Sequence, residues 1–186
     1  AKDEIIAALD SFADDESKRV LSGLIKYRLT KDLSYIEKVR SDDIYFPEFV
    51  NLKESEVFVD IGAYTGDTIS LFNKKSAASP KAIIIAFEPD PVNYEVLQGE
   101  FGYDKRVILS NLCVYNTETV LTFSREGDSS TSHIDSDNPD GYKVRTVTLD
   151  KYFSGELQPS FIKMDVEGSE RNILQGGSEV IINNSP

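Results

Sequence analysis

From Val57 onward, short continuous apolar runs alternate with segments of helical composition. The pattern predicts strand 57–61, helix about 66–74, strand 82–87, helix about 91–100 and strand 107–114. Runs apolar on both faces that alternate with helices belong to parallel sheets covered on both sides. The expected fold is therefore α/β, a Rossmann-like, doubly wound and mostly parallel sheet. The rhythm then changes. Residues 119–124 and 143–149 read as an antiparallel pair joined by a long polar loop, 125–142, expected at the sheet edge or over a ligand. Strand 161–164 and a helix ending near Gly176-Gly177 resume the earlier pattern.

The first fifty residues read differently. Ile5, Ile6, Leu9 and Phe12 share one helical face, and Val20, Leu21, Leu24, Ile25 and Leu29 follow at near-helical spacing after Asp14-Asp15-Glu16. A third short helical piece is expected between Leu33 and Val39. The chain thus divides into a helical prefix, 1–50, expected to pack on an α/β domain, 51–186. Tyr45 and Phe46 are candidates for a pocket wall, although core is the commoner role for either one alone.

The chemistry gathers at strand ends. Val57-Phe58-Val59 ends in Asp60, and Gly62 and Gly66 follow before a helix start near Asp67. This strand-turn-helix arrangement brings backbone N–H groups close to a nucleotide-like ligand. Its Gly-x-x-x-Gly spacing is looser than the Gly-x-Gly-x-x-Gly of dinucleotide binders, which suits a ligand without phosphates at that point. The next strand ends in Glu88, 22 residues beyond Gly66. That is close to the roughly 20-residue offset of a carboxylate that takes ribose hydroxyls. The bland alternative is a helix cap. Strand 161–164 delivers Asp165, Glu167 and Glu170, three carboxylates within six residues. Asp165 and Glu167 suit a general base or oxygen ligands of a divalent cation; Glu170 suits the start of a helix.

Charge and composition exclude some classes. Twenty basic against 32 acidic residues leave a net charge of −12, the wrong sign for a nucleic-acid partner. The single cysteine, Cys113, lies in an apolar stretch and reads as a buried small hydrophobe. No apolar stretch reaches membrane-spanning length and no signal peptide opens the sequence, so the expectation is a cytoplasmic domain without a membrane partner.

The motifs Val-Asp-Ile-Gly-Ala-Tyr-Thr-Gly-Asp-Thr, Phe-Glu-Pro-Asp-Pro, Val-Thr-Leu-Asp and Phe-Ile-Lys-Met-Asp-Val-Glu-Gly-Ser-Glu together resemble the FkbM-type methyltransferases over roughly residues 57–180. The last motif is the most specific. The resemblance implies S-adenosylmethionine as cofactor and a hydroxyl on a sugar or other small molecule as acceptor. It implies that Asp60, Gly62, Ala63, Tyr64, Gly66 and Thr68 surround the methionine part, that Glu88 holds the ribose, and that Pro89, Asp90, Asn111 and Leu112 lie on the adenine side. Asp165 and Glu167 would face the transferred methyl and the acceptor. The only histidine, His133, is a second candidate base, with Ser130 and Ser132 beside it in the polar loop.

The family's sheet normally has seven strands, and here the sequence reaches Ile181–Pro186 about where a fifth is expected. The C-terminal strands are then missing and the fourth strand is an open edge, to be continued by further chain or covered by a second copy in a homo-oligomer. Two other readings stay open: an NAD-dependent oxidoreductase, and a cofactor-binding domain without turnover.

Overall fold

The computed structural model describes residues 2–41, 44–47, 50–76, 81–125, 132–134, 138, 140–166 and 168–186, with the backbone alone at 125, 132 and 133. It divides into two compact units, 1–47 and 48–186.

The smaller unit carries α1 (Lys2–Ser11), α2 (Asp15–Thr30) and α3 (Ser34–Glu37). Asp14 caps α2 by accepting the Ser17 N–H at 2.7 Å. The apolar face expected of α1 is present in sequence, but α1 buries no residue. Phe46 is buried and Tyr45 half-buried.

The larger unit is built on four parallel strands, β1 (Val57–Ile61), β2 (Ile83–Phe87), β3 (Val107–Ser110) and β8 (Phe161–Met164), in the order β3-β2-β1-β8. Val59 and Ile61 of β1 and Ile85 and Phe87 of β2 pack into one core with Ile173 of α7 (Glu170–Gly176) and Val180 of α8 (Ser178–Asn184). The opposite face carries Phe58, whose ring stacks on Phe72 of α4 (Asp67–Lys75) at 4.7 Å. Helices therefore cover both faces, which is why these strands read as unbroken apolar runs. The sheet's chain order 3-2-1-then-crossover leaves every βα loop at the carboxyl edge, where open α/β sheets take their ligands.

Four expectations need correction. The run 107–114 is not one strand. After Ser110 the chain leaves the parallel sheet, and β4 (Cys113–Val114) pairs with β7 (Tyr142–Val147) in a second sheet, ordered β4-β7-β5-β6. The break is held by Asn111, whose side-chain amide donates to the carbonyls of Glu88 and Pro89 at 2.8 and 3.2 Å. Next, the polar loop contains β6 (Ser132–Ile134), antiparallel to β5 (Val120–Arg125). The expected antiparallel partners are thus β5 and β7 with an extra strand between them in sequence. The strand expected to run to 149 stops at Val147, because Thr148 caps α6 (Leu149–Tyr152) by accepting the Lys151 N–H. Finally, the segment where a fifth strand was expected is α8. Its Val180 N–H is taken by Asp150 at 2.9 Å, and the Val180 side chain is buried. Among the described residues, β8 has β1 as its ladder partner and stands at the sheet edge.

A candidate cofactor site of buried carboxylates

Asp60, Glu88, Asn111 and Asp165 all lie at the carboxyl ends of the parallel strands. Parallel pairing brings these four together from positions as far apart as 60 and 165.

The loop after β1 is shaped by two left-handed glycines, Gly62 at φ 78° and Gly66 at φ 93°. A Cβ on Gly62 would run into the Asp165 carbonyl oxygen, and one on Gly66 would run into the Phe101 ring of α5 (Pro91–Phe101). Both glycines are thus required by packing within the chain. Tyr64 is also left-handed, at φ 51°, and its side chain is exposed. The loop's N–H groups serve the same closure. Those of Gly62 and Ala63 donate to the Phe87 carbonyl at 3.0 Å each. The Tyr64 N–H donates to Glu88 Oε2 at 2.7 Å, and the Gly66 N–H to the Ala63 carbonyl at 2.9 Å. Sequence reasoning expected these donors to face a ligand; in the structure those of residues 62, 63 and 64 fasten the loop to the end of β2, and that of Gly66 closes the loop on itself. Ala63 and Thr68 are buried behind the loop.

Acceptors are what remain. Asp60 is fully buried, and neither of its oxygens accepts a well-directed hydrogen bond from the described residues. Its cross-strand neighbour Lys163 stands with Nζ 3.1 Å from Oδ1 while donating to the Gly62 carbonyl at 2.8 Å. Lys163 therefore acts on Asp60 first through its charge, and the same ammonium also holds the loop. Burial pushes the Asp60 carboxyl up to about 6; Lys163 opposes this, and the charges of Asp67 and Asp165 add to it. Glu88 is buried as well and pushed up to about 7, chiefly by burial, against the two backbone N–H groups of Asp90 and Tyr64 that it accepts. Each Glu88 oxygen keeps a further lone pair.

Asp90 is buried and caps α5. Its Oδ1 takes the N–H groups of Val92 and Asn93 at 2.9 and 3.1 Å, and its Oδ2 takes the Tyr142 hydroxyl of β7 at 3.0 Å. Pro89 is half-buried, and Leu112 is partly buried against the core. Cys113 is buried, and burial with the nearby Glu88 charge lifts its thiol to about 12, so it is no nucleophile at neutral pH.

Asp165 is exposed at the end of β8. Glu167 and Ser130 lie outside the described residues. His133 and Ser132 are placed by backbone only, His133 opposite Ser124 in the β5–β6 ladder. Among the described residues no group of three or more His, Cys, Asp or Glu side chains is set to hold a metal ion. No helix among them is long and apolar enough to cross a membrane. Sequence reasoning missed Lys163 and Tyr142. A lysine within an apolar strand was the one available signal for the first, because such a charge needs a buried partner.

The fold agrees with comparison to known proteins. The chain superposes on the crystal structure of methyltransferase FkbM from Methylobacillus flagellatus KT with a TM-score of 0.78, at 22% sequence identity. The match covers 98% of this chain and 45% of that one, so the chain spans under half the length of that structure. A search of curated proteins returns no match. The family description "Methyltransferase FkbM domain" matches residues 60–186, which begin at Asp60 and take in every carboxylate of the site, and on that match the chain belongs to the FkbM methyltransferase family.

Proposed function

We propose that this chain binds S-adenosylmethionine and forms the cofactor half of an O-methyltransferase acting on a hydroxyl of a sugar or other small molecule. One observation carries the reading. The strand ends offer buried acceptors while the glycine loop's N–H groups at 62, 63, 64 and 66 are already engaged. Such a cradle favours a ligand rich in donors and positive charge over a pyrophosphate, which needs free N–H groups. An amino-acid ammonium beside Asp60 and ribose hydroxyls on Glu88 fit those acceptors.

Bound there, the cofactor would supply an electrophilic methyl group on a sulfonium, which needs in-line approach by the acceptor oxygen. The chain's own part is to bind and align. Glu88 would take the ribose hydroxyls, and Asp60 the ammonium. Asp90, Asn111 and Leu112 would border the base, and the exposed Asp165 carboxylate would take the acceptor's proton. The acidic surface accords with a neutral, hydroxyl-bearing acceptor, and a cytoplasmic setting accords with the cofactor.

Calorimetric titration with S-adenosylhomocysteine, with NAD run in parallel, tests this. We expect micromolar binding of the first, lost in Glu88→Ala, and no binding of NAD. Binding of NAD in preference would overturn the reading in favour of an oxidoreductase.

A further inference from the structure

We infer that Lys163 is a positioning residue of the cofactor cradle, one that sets the charge of Asp60 and the orientation of the Gly62 carbonyl beneath the ligand's ammonium. The inference rests on the cofactor reading above and concerns the same site. Three placements carry it.

The first is register. β8 lies directly beside β1, and Asp60 and Lys163 are Cα partners in that ladder. Alternation then puts Lys163 on the sheet face of Phe58 and α4, while its neighbours Ile162 and Met164 pack into the opposite core. The second is burial. Lys163 is only 7% exposed and Asp60 0%. A lysine kept out of water is costly without an anion at hand, and so is an aspartate without a cation. The third is the divided use of the ammonium, with Asp60 Oδ1 at 3.1 Å and the Gly62 carbonyl at 2.8 Å. The same cation therefore touches the carboxylate and the first residue of the loop that follows it. Removing it changes the loop's electrostatics without deleting any group proposed to touch the ligand.

A lysine that merely clamped two strands would show the same contacts, so the test must separate charge from clamping. The other charges acting on Asp60 are Asp67 in the first turn of α4 and Asp165 beyond β8, and Glu88 at the end of β2 titrates over a similar range. The carboxyl carbon-13 shift of Asp60 reads that one group directly in the unliganded protein. In Lys163→Met its titration midpoint should rise by about one pH unit or more, as expected when an opposite charge within ion-pair distance is lost. Affinity for S-adenosylhomocysteine should fall at pH 7 by about twofold for a one-unit rise and about tenfold for a two-unit rise, and recover toward wild type at pH 9, where Asp60 is again ionised. Lys163→Arg should keep both quantities near wild type. If the Met variant does not fold, Lys163→Gln carries the same comparison.

An unmoved Asp60 midpoint, or an affinity loss equal at all pH values, would overturn the inference and leave Lys163 a strand clamp. A shifted midpoint in a protein that never binds S-adenosylhomocysteine would sustain the Lys163–Asp60 coupling and sink the cofactor reading instead.

Discussion

Glu88 Oε2 accepts the Tyr64 N–H at 2.7 Å while Oε1 accepts the N–H of Asp90 at 2.9 Å, so a single buried carboxylate ties the loop after β1 to the loop after β2. Both loops border the proposed ligand. Glu88→Gln retains one acceptor and turns an amide donor toward the other N–H. It should destabilise the unliganded protein by about 1–3 kcal/mol, the cost of a buried donor left unpaired. Urea denaturation checks this; a Gln variant as stable as wild type would show that the two N–H groups find other partners.

The pH dependence of stability follows from the same burial. Asp60 and Glu88 titrate at about 6 and about 7 in the folded chain, above their ordinary 3.8 and 4.5. Between about pH 4 and 7 the folded state therefore holds more protons than the unfolded state, so their contribution is present at the acid end and is lost as pH rises through the window. At about 1.4 kcal/mol per pH unit of displacement, each contributes on the order of 3 kcal/mol. Asp104, held below 3.8 chiefly by its hydrogen bond from Arg106, acts in the opposite sense below that window. Urea midpoints of the unliganded protein should fall from pH 5 to pH 8, and the slope should flatten in Asp60→Asn. A midpoint that rises over that range would contradict the burial argument.

The two loop glycines should fail differently. Gly66→Ala meets a left-handed φ and the Phe101 ring, and Gly62→Ala meets a left-handed φ and the Asp165 backbone carbonyl. Backbone strain alone costs roughly 1–2 kcal/mol at each. A ring can be trimmed and a carbonyl cannot. Phe101→Leu should therefore recover part of the loss in Gly66→Ala and none in Gly62→Ala. Equal behaviour of the two double variants in thermal melts would refute this account of the loop.

Tyr142 on β7 donates to Asp90 Oδ2 at 3.0 Å, so the second sheet is pinned to the cap of α5. Tyr142→Phe should cost about 1 kcal/mol, and Asp90→Ala about 1 kcal/mol more through the lost cap. A double-mutant cycle should show coupling of about 0.5 kcal/mol or more between them. Strict additivity would mean that the hydroxyl bond contributes nothing to folding.

Much of this protein was readable along the chain. Apolar runs at 57–59 and 82–87, apolar on both faces, specify strands buried on both sides. Asp90 followed by Pro91 announces a helix start, and Asp90 and Pro91 are its N-cap and first residue. The carboxylates at 60, 88 and 165 fall at strand ends because a strand stops where its apolar run stops. These are short-range matters, decided by periodicity and by each residue's own backbone preferences.

What the chain does at long range was not so readable. The run 107–114 is continuously favourable to strand, yet it divides at Asn111 because β7 offers Cys113 and Val114 a second sheet to join. Gly66 is a turn residue in sequence, but only folding shows that Phe101 occupies the space its Cβ would need. Lys163 reads as one charge in a four-residue strand. Parallel crossover brings it against Asp60, 103 positions away, and nothing local to either residue encodes that meeting. Local pattern determines which segments become strands and where their polar ends lie. The pairing of strands determines which buried charges face each other, because that depends on neighbours supplied by distant parts of the chain.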